Sequence, residues 1–259
     1  MTTGVTGLAG SFSRAAASYD TFASVQAATA SQLLQALPAG LAPGRVLELG
    51  CATGSYTALL ADRFPASDLY ALDFSPAMLV QAAARLAHQP RVRLILADAL
   101  DFLAAPAQSF DLITANATLH WLPDLPRCAR LVAGRLRRRG VLAASLFGPR
   151  TFQELAAALE AVCGRPIPVA AQAFPTPAAV AACFAAALPG ARVTERSWQE
   201  TYPSTLHLMR HIKATGTRGG GPPPLILTRR LLADLDAWLL EHRGGCRVTI
   251  QLVLLEARR

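Results

Sequence analysis

Residues 46–54 of this 259-residue chain read Val46-Leu47-Glu48-Leu49-Gly50-Cys51-Ala52-Thr53-Gly54. A short apolar run that carries one carboxylate leads into a turn with glycines at its first and fifth positions, and a helical pattern follows over residues 55–64. Glycine suits such a turn because it tolerates positive φ angles and lets a ligand come close to the backbone. The helix directs its first amides and the positive end of its dipole into the turn. The stretch therefore predicts a strand, a tight turn and a helix around a dinucleotide or methyl-donor site, although a purely structural turn has the same pattern.

Three further predicted strands end in polar side chains. They span residues 68–73, 92–99 and 109–116, with helical segments between them. Such alternation predicts a parallel sheet with helices on both faces. Ligands bind beyond the carboxyl ends of such strands, which is where we expect Glu48, Asp73, Asp98 and Asn116. A structural role stays open for each of these side chains; Asp98, for example, could cap the next helix.

Four motifs make the chain resemble the class I S-adenosylmethionine-dependent methyltransferases. They are ELGCATG, ALDFSPAML, LADAL and SFDLITANATLHW, and they follow in that family's order and spacing over about residues 44–147. Ala52 stands where the family usually has a glycine, which adds one methyl group to the turn. The resemblance implies an α/β fold: a Rossmann-like, seven-stranded, mostly parallel sheet with helices on both faces, an antiparallel last strand and helical cap insertions.

The resemblance also implies a site for S-adenosylmethionine, built from the strand ends and the turns that follow them. In this family, Gly50, Ala52 and Gly54 would contact the methionyl part of the donor, and Asp73 would contact the ribose hydroxyls. The adenine would be bound by Phe74, Met78, Asp98 and Ala99. Glu48 and Asn116 complete the predicted cofactor site. We expect no metal, because the five cysteines are scattered and form no C-x-x-C pair.

The flanking sequences resemble a narrower family, the malonyl-carrier-protein carboxyl methyltransferases of biotin synthesis. SFSRAAASYD, FGPRTFQEL and LMRHIKATGT followed by LILTRRLL carry this resemblance. It implies methyl transfer to the free carboxylate of a malonyl thioester on acyl carrier protein or coenzyme A. Two departures bear on the acceptor: His120 stands where the family often has glutamine, and the Gly- and Pro-rich residues 219–224 replace a more polar stretch.

Three side chains are candidates for the catalytic end of the site. A carboxylate acceptor is ionised at neutral pH and needs no strong base, so catalysis requires mainly alignment and removal of water. Tyr19 can donate a hydrogen bond to that carboxylate, and Arg14 could join it in a lid. Lys213 is the single lysine among 25 basic residues. His120 could be a general base or a packing residue.

We expect one compact arrangement of three segments. Residues 1–43 form an N-terminal helical lid, residues 44–148 the cofactor-binding core, and residues 149–259 the cap insertions and a strand hairpin that completes the same sheet. Within them, the arginine run 135–139 is expected at the end of a helix that spans residues 125–137. Thr151 and Glu154 suggest a capping box, and residues 218–224 suggest a loop.

The charge and motifs of the chain limit the classes of partner that we expect. The net charge of +8 suits an acidic partner such as acyl carrier protein. We expect no nucleic acid, because no aromatic-interleaved basic groove is visible and residues 116–119 lack the N/D-P-P-Y/F motif. We expect no membrane partner and a cytoplasmic location, since residues 1–10 do not resemble a secretory signal. A carboxyl methyltransferase for a small free acid and a non-catalytic donor-binding factor are the alternatives.

Overall fold

The computed structural model describes residues 10–106, 108–215 and 226–259. Its centre is a seven-stranded sheet with the order β3-β2-β1-β4-β5-β7-β6. The strands are β1 (Arg45–Leu49), β2 (Asp68–Asp73), β3 (Val92–Leu96), β4 (Phe110–Asn116), β5 (Leu136–Phe147), β6 (Arg192–Thr201) and β7 (Arg247–Arg258). Strands β1 to β5 pair in parallel, whereas β7 lies antiparallel between β5 and β6. The predicted fold class is confirmed.

Helices precede and connect the strands. They are α1 (Tyr19–Phe22), α2 (Ser24–Ala36), α3 (Ser55–Arg63), α4 (Pro76–Arg85), α5 (Ala99–Ala104), α6 (Leu125–Arg135), α7 (Gln153–Cys163), α8 (Pro177–Ala187), α9 (Thr205–Ala214) and α10 (Arg229–Arg243). The side chains of Ser75 and Thr228 cap α4 and α10 by accepting hydrogen bonds from the amides of Met78 and Leu231. The predicted loop over residues 218–224 lies outside the described residues.

Both faces of the central strands are buried. In β1, Val46 belongs to one apolar cluster, whereas Leu47 and Leu49 belong to the cluster on the other face. Successive side chains of a strand point to opposite faces, so a continuous apolar run is what a sheet covered on both sides requires. This burial fixes the strand register and hence the place of every strand end.

The arginine run differs from its prediction. Helix α6 ends at Arg135, and β5 begins at Leu136, so residues 137–139 lie on a strand. Arg137 pairs with Asp111 of β4 at 3.0 Å, and the amide of Arg139 donates to the carbonyl of Arg259. These partners come from distant parts of the chain, so they outweigh the local helical pattern.

The predicted capping box at α7 is wrong. Phe152, with φ of +61°, precedes the helix and provides no side-chain cap. The Thr151 hydroxyl instead exchanges hydrogen bonds with the backbone of Gln251. The Glu154 carboxylate accepts from the amide and hydroxyl of Thr249 on β7. Both side chains therefore tie α7 to the sheet instead of capping the helix.

Among the described residues, one apolar stretch is long enough by length and composition to cross a membrane. It spans Ala170–Ala187 and has a mean hydropathy of 1.3. Its second part is α8, an 11-residue helix that begins at Pro177 and packs Val180 and Phe184 into the core. Helix α8 thus serves as a covering helix of the sheet.

Candidate active site

A cavity of about 1330 Å³, including its open mouth, lies at the carboxyl ends of the central strands. Its walls come from the turn after β1, the ends of β2 and β4, and the N-terminal residues that precede and form α1 and α2. The lining includes nearly all the predicted cofactor residues, namely Glu48, Gly50, Ala52, Asp73, Phe74, Met78, Asp98, Ala99 and Asn116. Gly54 lies in the same turn but is not among the lining residues. The strand ends thus converge on one cavity.

The turn after β1 has the backbone that its glycines suggest. Gly50, Ala52 and Gly54 have φ angles of +74°, +46° and +80°. A Cβ atom at Gly50 would lie 2.5 Å from the side chain of Thr118, so no larger residue fits there. Ala52 adopts the left-handed conformation without being glycine, which costs an L-residue about 1–2 kcal/mol. The substituted turn therefore keeps the shape of a glycine turn at some energetic cost.

Asp73 holds this turn in place. Its Oδ2 accepts a hydrogen bond from the amide of Ala52 at 2.9 Å, and its Oδ1 accepts from the amide of Ser75 at 2.8 Å. The side chain is 6% exposed and faces the cavity. Burial raises the pKa of this carboxyl, and the backbone hydrogen bonds oppose that rise. The remaining lone pairs of the carboxylate are available to a ligand.

Glu48 is a buried acid without a complete set of partners. Its side chain is 1% exposed, and its Oε2 has no hydrogen-bond partner in the part of the chain that the structure describes. Burial, together with the negative charge of Asp73, raises the pKa of Glu48 to about 8. A buried oxygen of this kind favours a ligand that brings a proton donor or a positive charge.

Asp98 and Asn116 both have structural hydrogen bonds. Asp98 caps α5, because its Oδ1 accepts from the amides of Leu100 and Asp101, and its Oδ2 bonds to no described residue. The Asn116 carboxamide accepts from Thr29 and Ser145, at 2.9 and 2.7 Å, and donates to the carbonyl of Gln26. Asp98 keeps an oxygen for a ligand, whereas Asn116 mainly joins α2 to the ends of β4 and β5.

The N-terminal segment, residues 12–23, covers the cavity. The Phe12 ring lies edge-on to Phe74, 5.9 Å away between centroids, and edge-on to Trp121, 6.2 Å away. The Tyr19 side chain is half-buried in the lining, and burial and the charge of Asp73 raise its pKa. Arg14, in contrast, is exposed and lies outside the lining.

Two charged residues of the lining escaped the sequence analysis. The Asp20 carboxylate pairs with the Arg85 guanidinium at 2.7 Å and accepts a hydrogen bond from the Thr53 hydroxyl at 2.6 Å. Arg85 also donates to the carbonyl of Thr53 and to the hydroxyl of Ser55. This Asp20–Arg85 latch fastens the N-terminal segment to the glycine turn. Asp20 ends the motif SFSRAAASYD, whereas Arg85 belongs to none of the quoted motifs. The contact joins residues 65 positions apart, so no local pattern predicts it.

Two of the three predicted catalytic residues lie outside the lining. His120 is buried, its Nδ1 accepts from the amide of Phe147 at 3.2 Å, and its ring packs 4.4 Å from that of Phe174. Burial lowers its pKa to about 3, so it is neutral at physiological pH. Lys213 is exposed on α9. Tyr19 is the predicted catalytic residue that faces the cavity.

Comparison with known proteins matches this region to a family. The model of the methyltransferase domain family matches residues 46–140. The malonyl-[acyl-carrier protein] O-methyltransferase of Methylococcus capsulatus is 34% identical over 210 residues, which cover 80% of this chain and 75% of that protein. The enzyme of the same name from Anoxybacillus flavithermus is 38% identical over 144 residues, 56% of this chain and 54% of that protein.

A second kind of relative matches the core. The trans-aconitate 2-methyltransferase of Methylobacterium radiotolerans is 42% identical over 128 residues, 49% of this chain and 47% of that protein. The chain thus spans about half the length of several curated relatives it matches. Among solved structures, the YcgJ protein from Bacillus subtilis shares the fold, with a TM-score of 0.62, 14% identity and coverage of 90% of this chain and 98% of that one.

Proposed function

The chain belongs to the class I S-adenosylmethionine-dependent O-methyltransferases, and on this premise we propose that it methylates the free carboxylate of a malonyl thioester. The thioester would be carried by acyl carrier protein or coenzyme A, and the methyl ester would serve biotin synthesis. The malonyl-[acyl-carrier protein] O-methyltransferase aligned over 80% of this chain supports this choice. The net charge of +8 suits an acidic carrier.

The cavity fits S-adenosylmethionine. Glu48 offers a buried oxygen without a partner, which suits the positive charges of the methionyl and sulfonium groups. Phe74 and Met78 offer apolar surface, and Asp98 keeps Oδ2 for an amino group. Two backbone amides hold the Asp73 carboxylate. Asp73 follows the glycine turn by about the spacing at which nucleotide-binding folds place the acid that binds a ribose. We assign these residues to the sulfonium region, the adenine and the ribose, respectively.

The composition of the lining carries the choice of acceptor. The described lining holds four carboxyl groups and one guanidinium, and neither a histidine nor a lysine. Asp20 is paired with Arg85, burial raises the pKa of Tyr19, and the preceding assignment places Glu48, Asp73 and Asp98 on the cofactor. No other ionisable group of the described lining is then a good base for an alcohol or an amine. An acceptor that arrives already ionised needs none. A carboxylate meets that condition at neutral pH.

The chemistry is an in-line displacement. When bound, the cofactor would supply an electrophilic methyl group on sulfur. An acceptor carboxylate oxygen would take this group as the carbon–sulfur bond breaks, which would leave the electron pair on sulfur. The chain contributes alignment and exclusion of water through Phe12, Trp121 and the N-terminal segment. Tyr19 donates a hydrogen bond to the acceptor without neutralising its charge.

Lys213 stays a hypothesis for binding of the acceptor. Its side chain is exposed on α9 and lies outside the cavity lining, so its position gives no support to a direct contact with the carboxylate. The variant Lys213→Arg tests the role: unchanged turnover and unchanged acceptor affinity would remove Lys213 from the proposed site.

Methyl transfer from labelled S-adenosylmethionine tests the proposal. Malonyl carrier protein, malonyl coenzyme A and free dicarboxylic acids are offered as rival acceptors, and label lost on mild ester hydrolysis identifies a methyl ester. The matched inactive protein is Gly50→Ala, whose Cβ would meet Thr118. Absence of label on every malonyl thioester, with donor binding intact by calorimetry, contradicts the proposal.

A small free acid is the second candidate acceptor. The 42% identity to a trans-aconitate 2-methyltransferase over about half of the chain favours it. Trans-aconitate therefore belongs in the same acceptor panel. Label on that acid, with none on malonyl thioesters, would select this alternative.

A further inference from the structure

Gln26 of α2 carries a buried carboxamide that has no hydrogen-bond partner among the described residues. The residue is 9% exposed, its Oε1 is shielded from solvent, and its side chain bonds to no described residue. Buried polar side chains nearly always have partners, and those that lack one call for an explanation. Gln26 also belongs to the cavity lining, although no motif drew attention to it.

The backbone that carries this side chain is firmly held. The Gln26 carbonyl accepts hydrogen bonds from Asn116 Nδ2 at 3.1 Å and from the Thr29 hydroxyl at 2.8 Å. Asn116 in turn accepts from Ser145 of β5. The unpartnered carboxamide therefore sits on a helix fixed to the ends of β4 and β5, and looseness of the segment does not explain it.

The nearest residues of the same helix that line the cavity are apolar. Ala23, Ala27 and Ala30 are its neighbours on the same wall, and none carries a polar side chain. The Tyr19 hydroxyl, from the preceding helix, also bonds to no described residue and lines the same cavity. Two neutral hydrogen-bonding groups thus line one cavity without a partner among the described residues.

These groups suit an anion that must keep its charge. The guanidinium of the described lining, Arg85, is paired with Asp20. A carboxylate in the cavity must then be held by neutral donors, which orient it without forming a competing ion pair. The shielded atom of Gln26 is Oε1, whereas Nε2, which donates hydrogen bonds, is not shielded and is the polar end available to a ligand in the cavity.

We propose that Gln26 is a substrate-binding residue that donates a hydrogen bond from its carboxamide to a carboxylate in the cavity. The inference rests on the proposed function, which brings two carboxylates into the site. One is the free carboxylate of the acceptor, and the other is the α-carboxylate of the methionyl part of S-adenosylmethionine. The chemistry is shared, and separate measurements on the two substrates distinguish the sources.

The test compares Gln26→Leu, which removes the hydrogen bond, with Gln26→Glu, which keeps the shape and adds a negative charge. Gln35→Leu is the matched control, because Gln35 is exposed on the same helix. Calorimetry gives the donor Kd, label transfer gives kcat and the acceptor KM, and thermal unfolding shows that each variant is folded. If Gln26→Leu fails to fold, the donor Kd and the acceptor KM of Gln26→Glu still test the inference.

A contact with the acceptor should raise the acceptor KM about tenfold or more in Gln26→Leu, and further in Gln26→Glu, with the donor Kd unchanged. A contact with the donor should raise the donor Kd by a similar factor and leave the acceptor KM unchanged. Variants that match Gln35→Leu in both constants overturn the inference.

Failure of the proposed function can be distinguished from failure of the Gln26 inference. If the wild type methylates a free acid and no malonyl thioester, the proposed function fails and the Gln26 variants are measured on that acid. If the wild type methylates no carboxylic acid, the acceptor contact is overturned. An unchanged donor Kd in both variants would then overturn the donor contact as well.

Discussion

Replacing Glu48 by glutamine should stabilise the protein at neutral pH. Burial raises the pKa of Glu48 from 4.5, its value in an exposed chain, to about 8. Between these values the unfolded state is ionised while the folded state keeps its proton, so the folded state binds one proton more. The free energy of unfolding therefore falls by about 1.4 kcal/mol for each pH unit in this window.

The size of the effect follows directly. From pH 5 to pH 7 the ionisation of Glu48 in the unfolded state lowers the free energy of unfolding by about 2.7 kcal/mol. Glutamine has nearly the same shape and does not ionise. The Glu48→Gln variant should lose this slope and exceed the wild type at pH 7 by about 2–3 kcal/mol.

Urea unfolding followed by circular dichroism at pH 5, 6 and 7, without donor, measures the difference. Glu160→Gln is the control, because Glu160 is exposed on α7. The two variants should diverge as the pH rises, since only Glu48 is buried. A stability difference between Glu48→Gln and the wild type that stays constant with pH would refute the reasoning.

The same proton affects donor binding. A cationic donor favours the ionised form of Glu48, so its binding lowers the pKa of that carboxyl. The donor affinity of the wild type should therefore rise as the pH increases from 6.5 to 8.5. The affinity of Glu48→Gln should be flatter over this range in calorimetric titrations.

Three further substitutions test other features. Ala52→Gly should raise the free energy of unfolding by up to about 1 kcal/mol, because the backbone strain removed at a φ of +46° exceeds the cost of the added entropy of the unfolded chain. A lower urea midpoint for the variant would contradict this. Asp20→Asn should speed donor release about three- to tenfold in stopped-flow measurements, because it opens the Asp20–Arg85 latch. The control Asp68→Asn breaks an exposed ion pair outside the cavity lining and should leave the release rate unchanged. Equal effects of the two variants on the release rate would contradict the role of the latch. His120→Leu should cost about 1–3 kcal/mol of stability because the Phe147 amide loses its acceptor, and His120→Gln should cost less; equal losses in urea unfolding would argue against this role.

The strands and the glycine turn could be predicted because their signals are local. Apolar runs such as 46–49 and 68–72 define buried strands, and the glycines after β1 match positive φ angles. The fold class followed from the order of these units and from the family resemblance. The placement of Glu48, Asp73 and Asp98 in one cavity followed from parallel pairing, since parallel strands end at the same edge.

Other features depend on residues that are distant in sequence. Thr151 and Glu154 match a capping box locally, but their partners lie on β7, about 100 residues later. Asp20 lies in the motif SFSRAAASYD and Gln26 in none, but the contacts of both residues depend on the folding of the N-terminal segment over the strand ends. Local patterns carry no information about such contacts.

The place of β7 between β5 and β6 has a consequence for synthesis on the ribosome. The strands that supply the cavity, β1 to β4, leave the ribosome before residues 247–258. Strands β5 and β6 both pair with β7 and not with each other, so the edge that each presents to β7 stays unpaired until β7 emerges. Translation at about 5–20 residues per second leaves the apolar edge of β5 unpaired for several seconds. Unpaired strand edges promote aggregation, so nascent chains that stall before Arg247 should depend on chaperones although they already contain every cavity-lining residue.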